Sequence, residues 1–175
     1  MSFFDLILAI IIGGFGLFGL WFGLIHTLGS LVGTVLGVFL ASRFYEPLAN
    51  WLTGITGWAG NFPKVIMFIL AFIIINRLVG LLFWVVDRLL SVVTRLPFLN
   101  GLNKILGLVF GLLEGVLVLG IIFNFMQIYP LSPRFMGYLA NSALAPLTMG
   151  VAAVLWPLVP QALQMLRDNF NKVLP

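Results

Sequence analysis

Two apolar runs open the chain, residues 3–25 and 28–41, with only His26 and Thr27 between them. Together they extend over 39 residues, roughly twice the ~20 that a helix needs to cross a bilayer. Two helices folded back at residues 22–27 are therefore expected in place of one, with Gly23 easing the turn. Two further runs, 64–93 and 105–126, repeat the pattern. Water does not suit such a chain. Hydrophobic residues make up 62% of it and charged residues 8%, against about 25% charged in an average soluble domain. Nine Lys+Arg and five Asp+Glu cannot coat a surface that faces mostly water at this size. The predicted fold is an all-α integral membrane protein. It has four transmembrane helices packed through glycine stripes, with interfacial, amphipathic helices in the C-terminal part.

The expected spans are 4–22, 26–42, 64–86 and 105–126, within a membrane domain covering 1–130. The start, Met-Ser-Phe-Phe-Asp, has no basic region, and the run after it is long for a signal segment, so the first helix is expected to be retained. Asp5 is placed to cap it, a carboxylate at the positive end of the helix dipole. Residues 43–62 carry Pro47, Gly54, Gly57 and Gly60 together with Tyr45, Trp51 and Trp58. Tyr and Trp favour the headgroup level, so a short interfacial helix and a loop are expected, the alternative being a solvated loop. Pro63 can open the third helix, where its missing N–H is not needed. The run 64–93 would be about 45 Å long as one helix at ~1.5 Å per residue, more than the ~30 Å hydrocarbon core. Its end, with Asp87, Arg88 and Arg95, should then leave the core, and Pro97, Asn100 and Gly101 should turn the chain. The segment 131–175 is expected to associate with the membrane. Pro146 and Pro157 cut its apolar part into short pieces that suit surface helices. A kinked fifth span is the alternative.

Small residues recur every four positions in two spans. Gly29, Gly33 and Gly37, continued by Ala41, form one stripe; Gly107, Gly111 and Gly115 form another; Gly19 and Gly23 make a shorter pair. Residues four apart share a helix face, and in lipid such faces let backbones approach closely. Packing within a four-helix bundle is the plainer reading. An interface with a second copy is the sharper one.

Three polar residues stand inside apolar runs: Asn76 and Arg77 in the third and Glu114 in the fourth. Each charge placed there costs roughly 3 kcal/mol or more and marks a functional site by default. If the third and fourth helices form a hairpin, Glu114 lies between the depths of Arg77 and Arg88, and either side chain can reach it. The alternative is that each snorkels to an interface by itself. His26, the single histidine, reads as structural. No Walker loop, HExxH motif, nucleophile elbow or Cys–His pair is present, and no spaced ligand set calls for a metal. No catalytic residue, metal or cofactor is expected, and the chain does not read as an enzyme. The formal charge of +4 comes from basic residues scattered at the ends of apolar runs, which suits phosphate headgroups and does not point to nucleic acid.

The order of features resembles a known family. Asp5 leads into an apolar helix, Gly23 marks a tight junction, and Gly29-Ser30-Leu31 opens the second helix. Ala41, Arg43, Phe44, Tyr45, Pro47 and Leu48 follow as A-x-R-F-Y-x-P-L. Residues 103–115 (NKILGLVFGLLEG) are similar to the D-R-x-L-G-x-x-x-G-x-x-R-G signature of the colicin V production protein (CvpA) family. Ser142, Leu144 and Pro146, with Pro157 and Pro160 later, resemble its tail. The charges depart from the pattern. Phe22, Gly23, His26 and Thr27 stand where the family has an Arg-Gly pair with nearby Arg and Glu; Asn103 and Lys104 replace Asp-Arg; and Glu114 replaces an arginine. The resemblance implies a multi-pass protein of the bacterial inner membrane with four helices and both termini outside. It also implies a role in toxin production or secretion and in envelope homeostasis. The packing stripes, the interfacial segments and the missing chemistry suit a non-enzymatic accessory or scaffold in that role, with the bilayer and either other envelope proteins or a second copy as expected partners. The basic residues of the loops do not themselves fix orientation, because each side holds three, Arg88, Arg95 and Lys104 against Arg43, Lys64 and Arg134. A small transporter or channel using Arg77 and Glu114 is the competing function.

Overall fold

The computed structural model describes residues 3–90 and 99–158. The described residues are all helical or connecting, with no strand. Four long helices follow one another: α1 (Phe3–Phe22), α2 (Leu24–Thr56), α3 (Phe62–Leu90) and α4 (Leu99–Ile128). Each contains a segment long and apolar enough to cross a membrane. Their outer faces are apolar, with Trp21 83% and Phe18 62% exposed. In water that would be a very large apolar patch; in lipid it is the ordinary surface.

The helices alternate in direction. At one end, the Leu24 N–H donates to Asn103 Oδ1 at 3.0 Å, tying the α1–α2 junction to the first turn of α4. At the other end, Asn61 Nδ2 donates to the Pro130 carbonyl at 3.1 Å, tying the α2–α3 loop to the exit of α4. Here lies an aromatic cluster from α2, α3 and α4. Phe68 stacks on Phe125 with ring centroids 3.8 Å apart, Tyr45 meets Phe125 edge-on, and the Tyr45 and Tyr129 hydroxyls share a hydrogen bond of 2.9 Å. The Lys64 ammonium lies 4.8 Å from the Tyr129 ring centre, which suits a cation near the headgroups above an aromatic face.

The glycines decide which helices touch. A Cβ on Gly29 would strike Phe83, one on Gly33 would strike Asn76, and one on Gly37 would strike Phe72, so this stripe seats α3 on α2. A Cβ on Gly107 would strike the Gly19 carbonyl and one on Gly111 the Phe15 carbonyl, while Gly115 faces Ile12 and Phe15; this stripe seats α1 on α4. Gly23, at φ 84°, takes the conformation that closes the one-residue turn between α1 and α2, and its Cα faces Asn103. Both three-glycine stripes are thus covered within the chain. The main pairings are α2 with α3 and α1 with α4, and α4 also packs on α2. The third and fourth helices touch only slightly, so they form no close hairpin among the described residues.

A further departure has a clear cause. The short interfacial helix expected in residues 43–62 is the last part of α2, which runs through Pro47 to Thr56. Proline removes one backbone hydrogen bond, and membrane helices absorb that loss. The stop comes at Gly57, which is left-handed (φ 69°) and returns its N–H to the Thr53 carbonyl at 2.8 Å, a glycine C-cap. The described part of the tail, to residue 158, packs against the bundle. After Ile128 come α5 (Pro133–Ala140) and α6 (Leu144–Ala152), followed by a 3-10 turn (Ala153–Leu158). α5 and the α6 segment are bent by 90° to each other. α6 packs on α1 and α4, and the 3-10 turn reaches α2. Its crossing point on α4 is Gly120, where a Cβ would meet the Thr148 carbonyl, about 13 Å along α4 from Tyr129 at ~1.5 Å per residue. Residues 159–175, including Pro160, lie outside the described residues.

Candidate functional site

Glu114 lies at the middle of the α4 span Gly101–Ile128 and is 5% exposed. Its carboxylate takes a donor from α2. The Ser30 hydroxyl donates to Glu114 Oε1 and lies 3.4 Å from Asn76 Oδ1. Asn76 Nδ2 in turn donates to Thr34 Oγ1 at 3.1 Å, and Thr34 is fully buried. Four polar side chains on α2, α3 and α4 therefore satisfy one another inside the bundle, as buried polar groups must. The packing stripe brings them together. Gly33 lets Asn76 approach, and Ser30 and Thr34 sit one position after Gly29 and Gly33, a face that turns toward both α3 and α4.

Of the two arginines expected to reach Glu114, only the Arg77 side chain is among the described residues. Arg77 is exposed on α3 and lines the same cavity as Glu114. Among the described residues it makes no ion pair with that carboxylate, whose donor is Ser30. The Arg88 side chain lies outside the described residues. Two consequences are measurable. Ser30→Ala should destabilise the protein by about 1–3 kcal/mol, because it strands a buried acceptor; unfolding in sodium dodecyl sulfate titrations would read this. The double variant Arg77→Glu, Glu114→Arg should be no more stable than Glu114→Arg alone, and recovery to near the wild-type midpoint would show a pair after all.

Ser30 and Thr34 escaped the sequence reading because a hydroxyl in a membrane helix commonly bonds to its own backbone. Their spacing of four along a glycine stripe is the signal that could have found them. Four other residues form a second polar contact that the sequence did not announce. Asp5, 1% exposed, accepts at Oδ1 from the Ser142 hydroxyl and from the backbone N–H groups of Ala143 (3.0 Å) and Leu144 (3.2 Å). The carboxylate expected at the start of α1 thus holds the start of α6. Farther along, Asn124 Nδ2 donates to the Gly120 and Met149 carbonyls. His26 packs against Phe22, ring centroids 4.7 Å apart. Among the described residues no group of three His, Cys, Asp or Glu could hold a metal.

The three motif segments quoted above from residues 5–23, 103–115 and 142–146 thus meet in space. Asp5 holds Ser142, Asn103 holds the turn after Gly23, and the glycines of residues 107–115 receive α1. A family described as Colicin V production protein matches residues 4–153, which takes in all three contacts. Searches of curated proteins and of solved structures returned no match. The match covers most of the chain and agrees with the helical, membrane-spanning architecture: the chain belongs to the colicin V production protein family, as a non-enzymatic, multi-pass protein of the bacterial inner membrane.

Proposed function

We propose that the chain supports toxin production or secretion and envelope homeostasis as an accessory or scaffold, holding other envelope proteins in place without moving a solute itself. The observation that carries this reading is the closure of the polar set. Glu114, Ser30, Asn76 and Thr34 bond to one another across three helices, and such a network rigidifies a bundle. The outward helix faces are free for lipid and for partner helices. A strain that makes colicin V but lacks this chain should secrete less toxin, and Glu114→Gln should restore secretion to within about two-fold, since an amide still accepts from Ser30 and keeps the bundle closed.

A second reading, a small transporter or channel, is favoured by the cavity that Arg77 and Glu114 share. Failure of Glu114→Gln to restore secretion at normal protein level, together with a solute flux in liposomes that the same change abolishes, would replace the first reading by the second.

A further inference from the structure

The bundle has an opening between α1 and α3. α1 lies on α4 and α3 on α2, and the two outer helices make no substantial contact. Two adjoining cavities of about 370 and 320 Å³ occupy the gap, partly open to the surroundings. Phe15, His26, Ser30, Arg77 and Glu114 line both. The size is that of a small-molecule site, and the lining is of the usual kind, mostly apolar and aromatic with a few convergent polar groups.

The glycines give independent support. Gly14 on the α1 wall and Gly80 on the α3 wall line the cavities, and a Cβ on either would meet nothing within 4 Å. The glycines of the two packing stripes let backbones touch; these two keep space free on either side of the gap.

Arg77 restricts the occupant. It lies within the span Phe62–Val85, is exposed to the crevice, and has no acceptor among the described residues. Glu114 is already bound by Ser30. A ligand must therefore offer hydrogen-bond acceptors to a guanidinium inside the span. Phospholipid phosphates and fatty-acid carboxylates sit at the headgroup level, whereas the Arg77 backbone lies about 12 Å of helix inside the Val85 end of its span at ~1.5 Å per residue. A lipoquinone fits better. Its head is a compact neutral ring with two carbonyl acceptors, it is soluble in hydrocarbon, and its isoprenoid tail needs a sideways exit into lipid.

We propose that this crevice binds the ring of a lipoquinone, a carbonyl oxygen on the Arg77 guanidinium, the ring against Phe15, Phe22 and Trp84, and the tail leaving between α1 and α3. Binding alone is assigned, with no electron transfer. The site stands independently of the accessory role proposed above.

The test uses the full chain in phosphatidylcholine nanodiscs and a photoreactive azido-ubiquinone. Labelling should saturate, fall on peptides of α1 or α3, and be displaced by decylubiquinone. Arg77→Gln should lower the labelled fraction at least ten-fold. Gly80→Leu, which fills the crevice while suiting a helix, should do the same with its size-exclusion profile unchanged, and Arg134→Gln in α5 should label as wild type. Labelling that does not saturate, or that Gly80→Leu leaves intact, overturns the proposal. Displacement by oleate and not by decylubiquinone overturns the quinone in favour of a carboxylate amphiphile.

Discussion

Gly107→Leu should abolish the folded bundle, while Gly13→Ala should leave it intact. At Gly107 a Cβ would overlap the Gly19 carbonyl oxygen and press on the Gly23 backbone; the reverse holds for Gly19 against the Gly107 carbonyl. Both neighbours are main chain. No rotamer change relieves the clash, so α1 must move off α4. Overpacking a core generally costs 1–3 kcal/mol. Here a rigid neighbour and three further side-chain carbons raise that to upwards of about 3 kcal/mol, a large part of the stability of a domain this size. Gly13 lies six positions before Gly19 in α1, and its Cβ would meet nothing within 4 Å. Gly13→Ala should be neutral or slightly stabilising, since alanine is the better helix former. Folded fraction in dodecyl maltoside, followed by size exclusion and sodium dodecyl sulfate titration, separates the two. A Gly107→Leu protein with the wild-type midpoint would mean that α1 and α4 do not meet as described.

That contrast also separates what the sequence discloses from what it hides. The four spans follow from hydropathy alone, because a bilayer imposes its thickness on any helix that crosses it. The glycine stripes could likewise be read from spacing. Spacing does not disclose the partner. Gly29, Gly33 and Gly37 face Phe83, Asn76 and Phe72 on α3, whereas Gly107 and Gly111 face backbone of α1. A hairpin of the third and fourth helices, neighbours in sequence, would let Arg77 or Arg88 reach Glu114. The observed order of contacts separates them, and that separation breaks the anticipated pair between Arg77 and Glu114. A carboxylate in lipid takes the nearest donor, and the glycine-seated α2 presents Ser30.

The end of α2 was illegible for a local reason. Pro47, Gly54 and Gly57 lie close together, and each is a plausible stop. Only Gly57 adopts a positive φ, the conformation that ends a helix with its N–H returned to an earlier carbonyl. Pro47 and Gly54 remain inside the helix. Propensity ranks residues for this job, but tertiary packing chooses among them, and Ala49, beyond Pro47, is 2% exposed.

Asp5→Ala should release α6 from the bundle without unfolding the four long helices. Asp5 Oδ1 takes three donors at the start of α6: the Ser142 hydroxyl and the Ala143 and Leu144 N–H groups. A carboxylate at a helix N-terminus gains from both the orphan N–H groups and the dipole. Without it, buried donors lose their acceptor at about 1–3 kcal/mol each. The Ser142 oxygen still accepts from the Ala145 N–H at 3.0 Å, so part of the cap survives and a total near 3 kcal/mol is expected. Asp5→Asn keeps an acceptor oxygen and should lose less. The effect should stay local, because the α1–α4 contact at Gly19 and Gly107 lies about 20 Å along α1 from Asp5 at ~1.5 Å per residue. The chain has no cysteine, so a single Ala145→Cys reports cleanly from a position with no exposure. A water-soluble maleimide should label it at least ten-fold faster in Asp5→Ala than in the wild-type background, while a cysteine at Val38, 2% exposed in α2, stays protected in both. Equal labelling at 145 would show that the contact between Gly120 and Thr148, not the Asp5 carboxylate, holds the tail against the membrane helices.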